Sequence, residues 1–95
     1  MAPVRRLVLD VLKPHDPTTV DLARRVAEGE GVDGVNAVVV DVDRDVETIK
    51  LTIEGDGIEY RAVESVVDAQ GASVHSIDQV VCGNRLVEES ETPQD

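Results

Sequence analysis

From Val4 to Lys13 the chain alternates. Leu7, Leu9 and Val11 share one side of an extended segment, and Arg6, Val8, Asp10 and Leu12 share the other. This period of two predicts a strand, which Pro14 ends. The period then lengthens. Val20, Leu22, Ala23, Val26 and Ala27 form a helical stripe, with Asp21, Arg24, Arg25 and Glu28 on the opposite side. Asp16 is placed as the N-cap and Pro17 as the first helical residue. Asp21 with Arg25 and Arg24 with Glu28 are expected i,i+4 pairs, and Gly29 and Gly31 close the helix. A second strand, about Val35 to Val42, is apolar on both sides, whereas a strand buried on one face needs only one apolar set. A hairpin tip at about Asp43 to Asp45 leads to a third strand, Val46 to Glu54, with Ile49, Leu51 and Ile53 on its core side. Asp56 and Glu59 have capping-box spacing for a second helix, whose stripe is Ala62, Val63, Val66 and Val67 and whose closing glycine is Gly71. A fourth strand is expected over about Ala72 to Ile77, and a short extra strand over Arg85 to Glu88.

The element order is strand, helix, strand, strand, helix, strand. Two βαβ units joined by a hairpin interleave as the split-βαβ, ferredoxin-like α+β fold. Its antiparallel sheet has the order 4-1-3-2, with both helices on one face. Residues 1–88 are then a single domain, and residues 89–95 an acidic tail expected to be mobile.

Three stretches in order, "RRLVLDVLKPHDP", "GVDGVN" and "HSIDQVV", together with the closing "TPQD", resemble the archaeal domain-of-unknown-function family 211. The resemblance runs over almost the whole chain. It implies a ferredoxin-like domain that assembles into homo-oligomers, and it implies no activity. The chain departs from the family mainly in its acidic surface and scarce lysine.

Composition changes the picture in two ways. Tyr60 is the only aromatic, and valine dominates the apolar residues. A core of aliphatic side chains in 95 residues is small, so burial between subunits would add needed stability. The formal net charge is −11, with Lys13 and Lys50 the only lysines. In concentrated salt the Debye length falls to about 3 Å, so crowded carboxylates hardly repel. A halophilic source is therefore expected. A chain without a basic stripe or stacking platform is not built for nucleic acid. The apolar run Leu7 to Leu12 is broken by Asp10, so no signal peptide or membrane span is expected. Cys82 is alone, which fits the cytoplasm, and reads as a small buried hydrophobe.

The acidic alternation Asp41, Asp43, Asp45 opens like an EF-hand loop. It then fails, because Val46 stands where the loop needs glycine and Thr52 where it needs a bidentate glutamate. These aspartates form a weaker candidate site for a divalent cation. The stronger candidate joins Asp10 and His75, placed on the open faces of neighbouring strands, with Asp78 or a partner's carboxylate completing a calcium, magnesium or zinc site. The simpler reading of Asp10 and His75 is a hydrogen-bonded pair in an interface. His15 lies in a loop, where function often resides, and reads more simply as an exposed turn residue. Gly29, Gly31 and Gly34 follow a helix and precede a strand, the reverse of a phosphate-binding fingerprint. No serine stands in a nucleophile context.

The chain is therefore expected to be a non-catalytic, oligomeric binding or regulatory module, with cations or a small ligand at subunit interfaces. The alternative is a purely structural, self-assembling protein, and an enzyme ranks last. The assembly is expected to be a homo-oligomer larger than a dimer, without nucleic-acid or membrane partners.

Overall fold

The computed structural model describes residues 1–90. Its elements are β1 (Val4–Pro14), α1 (Thr19–Ala27), β2 (Val32–Val42), β3 (Val46–Gly55), α2 (Tyr60–Ala69) and β4 (Ser73–Cys82). The four strands form one antiparallel sheet in the order β2-β3-β1-β4, the expected order read from the other edge. This is the βαββαβ pattern of a ferredoxin-like α+β fold.

Strand parity decides the core. Leu7, Leu9 and Val11 pair with Ile53, Leu51 and Ile49 across β1 and β3, and all six side chains are buried. Leu22 and Val26 of α1 and Val63 and Val67 of α2 close over them, with Ile58 and Ala72 at the ends of α2. Truncating one of these leucines to alanine should cost about 2–5 kcal/mol, the usual range for such a cavity.

Several boundaries differ from the sequence reading. The N-cap of α1 is Thr18, not Asp16. Thr18 is extended, and its hydroxyl accepts from the Asp21 N–H at 3.2 Å. A helix starting at Thr19 turns Val20 outward, leaving it 60 % exposed, and Ala27 is exposed as well. The expected Asp21–Arg25 and Arg24–Glu28 pairs are absent from the ion pairs among the described residues. Helix α2 is preceded by Glu59, which caps with no side-chain bond, so the capping box does not form.

Strand β4 runs five residues beyond its expected end. Its apolar residues Val74, Ile77 and Val80 are spaced by three, which hides the strand period. Register shifts between Val8 and Leu9 and between Asp10 and Val11 each absorb one residue of β4, so Val74, Ile77 and Val80 all fall opposite Val11, Leu9 and Leu7. Cys82 is exposed rather than buried, because it pairs with Val4 at the end of the sheet, beyond the core.

Arg85 to Glu88 forms no strand. The segment turns back across the open face instead. Arg5 holds the turn through its Nη1, which donates to the Gly83 and Asn84 carbonyls at 3.3 and 3.2 Å. Arg6 grips Glu88 in a two-pronged pair at 2.8 and 3.1 Å while its Nε donates to Glu54 at 2.7 Å. Val81, opposite Arg6, is buried. Of the tail expected to be mobile, residues 91–95 lie outside the described residues.

Candidate functional site

The open face of the sheet is more polar than its apolar positions suggested. Val8 and Leu12 are half-buried, the rung between them pairs Asp10 with Lys50, and the rung on the other side of Val8 pairs Arg6 with Glu54. Asp10 stands opposite Ser76 in β4, and His75 is the extra residue of the neighbouring bulge. Asp78 accepts from the Ser76 hydroxyl at 2.7 Å. Among the described residues no hydrogen bond or ion pair joins Asp10 to His75, and no group of three or more His, Cys, Asp or Glu side chains is disposed to hold a metal ion. Asp41, Asp43 and Asp45 are exposed at the far end of the β2–β3 hairpin, where the Asp43 N–H donates to the Val46 carbonyl at 2.8 Å.

The structure assembles a different cluster, at the junction of β1, α1 and the hairpin tip. Lys13 follows Leu7, Leu9 and Val11 in parity, so its side chain points to the helix side and is fully buried. Its ammonium donates to the Pro14 and Pro17 carbonyls at 2.7 and 2.6 Å and lies 3.3 Å from Glu47 Oε1. Two carbonyl acceptors and the neighbouring carboxylate offset the desolvation that would otherwise exclude this charge. Glu47 lies opposite Lys13 in the β1–β3 register and extends the Ile49, Leu51, Ile53 side. Thr19 donates to Glu47 Oε1 in a long bond of 3.4 Å.

His15 completes the cluster. Its Nδ1 is 2.8 Å from Glu47 Oε2, and its Nε2 is 3.1 and 2.9 Å from the Asp43 and Arg44 carbonyls. All three partners are acceptors. Both ring nitrogens can bond to them only as donors, so the geometry matches the doubly protonated imidazolium. The hydrogen bond to Glu47, and after it the one to the Arg44 carbonyl, pushes the His15 pKa up. The same His15 bond, with help from Lys13, holds the Glu47 carboxyl below its usual range. In this state neither ring nitrogen is free to ligate a metal or abstract a proton. His15 is therefore more than an exposed turn residue, since it ties the β1–α1 loop to the hairpin tip.

Lys13 and Glu47 are not among the candidate residues above, although strand parity marks both. A lysine in phase with three core residues, and a glutamate in phase with three more, both point to the helix side, and the register that sets Lys13 opposite Glu47 brings them together. Gln70, at the C-cap of α2, was also missed. Its Nε2 donates to the Val66 carbonyl at 3.1 Å, while its buried Oε1 has no hydrogen-bond partner among the described residues. No local pattern signals that orphan, because it arises only where α1 and α2 meet.

The sequence profile of domain-of-unknown-function family 211, described as uncharacterised ArCR, matches residues 5–95. The chain is also 41 % identical over 92 residues to an uncharacterised protein of Methanocaldococcus jannaschii, covering 97 % of this chain and 95 % of that relative. Neither description assigns an activity.

Proposed function

We propose a function from the premise that this chain belongs to domain-of-unknown-function family 211: it is a non-catalytic binding module that works as a closed homo-oligomer larger than a dimer. The observation that supports this reading is the outer end of β2. Val38, Val39, Val40 and Val42 are 47, 43, 55 and 62 % exposed. Val39 pairs with Ile49 on the helix side and Val38 with Lys50 on the open side, so this edge strand is apolar on both faces and uncovered on both. Completing the burial of each valine would yield roughly 1 kcal/mol before the costs of association. The opposite edge, β4, offers Ile77 and Val80, 48 and 52 % exposed. Two different apolar edges on one chain suit a head-to-tail contact, which closes into a ring when the rotation per subunit allows. The radius of gyration, 14.0 Å, exceeds the roughly 12 Å of a compact chain of this length, as expected for a unit with an outstretched edge.

In such a ring Asp41, Asp43 and Asp45 lie beside the joining edge, where carboxylates of adjacent copies can share a divalent cation. Asp10, His75 and Asp78 would need ligands from a second copy in the same way. The acidic, lysine-poor surface supports a setting of concentrated salt, and the lone, exposed Cys82 supports a reducing cytoplasmic one. No helix among the described residues is long and apolar enough to cross a membrane.

Light scattering and native mass spectrometry at high salt test this reading. The expected result is one discrete species of three or more subunits. A stable monomer that keeps its fold would overturn it.

A further inference from the structure

Two arginines hold the C-terminal segment in place, yet no other part of the chain pairs with it. Arg5 donates to the Gly83 and Asn84 carbonyls, and Arg6 grips Glu88. Between these anchors, residues 85–88 make no backbone–backbone hydrogen bond among the described residues. Leu86 and Val87 are 45 and 67 % exposed, so the segment leaves its apolar side chains largely unburied on its own domain. Its position points to what covers them. The segment crosses the open face over Val81, beside the β4 edge, and a slot of about 330 Å³ lies between the two. Gln79, Val80 and Val81 line the slot from β4, and Val87 and Glu88 from the segment. Ile77 and Val80 of β4 stand opposite Leu9 and Leu7, on the helix side. A strand arriving at this edge therefore meets apolar groups on both faces: Ile77 and Val80 on the helix side, Leu86 and Val87 on the open side.

β2 is a strand that needs both. Val39 and Val42, opposite Ile49 and Glu47, point to the helix side, and Val38, opposite Lys50, points to the open side. Area argues the same way. Edge-to-edge contact along the 10 residues of β4 is a strip roughly 34 Å by 10 Å, or about 700 Å² over both partners. A specific interface clears about 1,000 Å². Strand pairing alone falls short, and a second wall supplies the difference.

We propose that the C-terminal segment is this second wall: β2 of a second copy enters between it and β4, and Leu86 and Val87 cover Val38 and Val40 of the incoming strand. Arg6 is a positioning residue, which sets the wall over the slot through Glu88. Holding the segment in place before the partner arrives lowers the ordering cost of the contact.

The inference deepens the proposed head-to-tail assembly and rests on it. The test uses the full-length protein with Cys82→Ser, which removes the exposed native thiol. One preparation carries Val38→Cys or Val40→Cys, and a second carries Leu86→Cys or Val87→Cys, all at exposed positions. The two are mixed, allowed to exchange subunits and oxidised under mild conditions. At least one pairing should give a covalent heterodimer in high yield, because the two thiols meet across the contact. Val20→Cys, exposed on α1, replaces the β2 cysteine as the control for random collision and should give none. Separately, the double variant Leu86→Ser with Val87→Ser should raise the concentration at which the assembly dissociates about tenfold, while its core stays folded. The proposal is overturned if no pairing cross-links, if the Val20→Cys control cross-links equally well, or if the double variant dissociates as the wild type does. An intact oligomer in any of those outcomes leaves the head-to-tail reading standing. A wild type that is monomeric at every concentration removes both.

Discussion

His15 and Glu47, 32 positions apart in sequence, are joined by a 2.8 Å bond from the His15 Nδ1 to Glu47 Oε2, and the other His15 nitrogen holds the hairpin tip. The His15 pKa is raised and that of Glu47 is lowered, so folding binds the imidazole proton more tightly and the carboxyl proton less tightly. The His15 contribution is fully present below the ordinary imidazole value of about 6.5 and is lost as pH rises through the raised value. The Glu47 contribution is present above the ordinary carboxyl value of about 4.3 and is lost as pH falls through the lowered one. The pair should therefore stabilise most between those two ordinary values. In a pH series of thermal melts, the gap between the wild type and His15→Ala should be widest in that window and should close at alkaline pH. A gap independent of pH would show that the imidazolium bonds contribute nothing.

Lys13→Ala should destabilise the fold by about 3 kcal/mol, because it strands Glu47 and the Pro14 and Pro17 carbonyls without their donor. Lys50→Ala, on the exposed open face, should change stability by less than about 0.5 kcal/mol. Chemical denaturation of both variants measures the difference. Equal effects would mean that the buried ammonium is no more than a spacer.

Arg6 and Glu88 hold the C-terminal segment over Val81, so Glu88→Gln should free it without unfolding the sheet. Hydrogen exchange should accelerate over residues 84–90 while β1 and β3 stay protected. Arg6 also holds the Glu88 carboxyl below its usual range. The tether is therefore present above the ordinary carboxyl value and lost as pH falls through the lowered one, and the same acceleration should appear in the wild type in acid. Unchanged exchange in Glu88→Gln would place the anchoring elsewhere, in the Arg5 bonds to Gly83 and Asn84.

How far the structure could be read beforehand follows the regularity of each segment. β1 and β3 alternate cleanly, and Leu7, Leu9, Val11, Ile49, Leu51 and Ile53 all lie where parity puts them. β4 resisted because two bulges convert a spacing of three into one apolar side, and bulges depend on the partner strand. Thr18 displaced Asp16 as N-cap because both residue types cap well and only the local backbone decides between them. The Lys13–Glu47 contact needed register as well as parity. His15 reaching the hairpin tip, and the orphan Gln70 oxygen, are tertiary facts with no local pattern.

If the acidic surface is an adaptation to concentrated salt, stability should rise from dilute buffer to molar KCl, as repulsion within the net charge of −11 is screened. Thermal melts across that range check it. A flat or falling melting temperature would separate the acidity from any adaptation to salt.

The strongest test of a head-to-tail ring uses its two edges separately. Val40→Asp places a charge on the exposed β2 edge, and Val80→Asp does so on the β4 edge. If each contact joins β2 of one copy to β4 of the next, either variant alone blocks every contact and should be monomeric. Both substitutions fall at solvent-exposed positions, so the monomers should keep their core. A mixture of the two variants retains one functional pairing: the intact β4 of the Val40→Asp chain can meet the intact β2 of the Val80→Asp chain. The mixture should therefore form a one-to-one heterodimer and nothing larger, since both remaining edges carry the added charge. Native mass spectrometry distinguishes the outcomes directly. If β2 instead pairs with β2, Val80→Asp alone should dimerise and the mixture should show no heterodimer. Full-sized assemblies from either single variant would place the interface away from both edges.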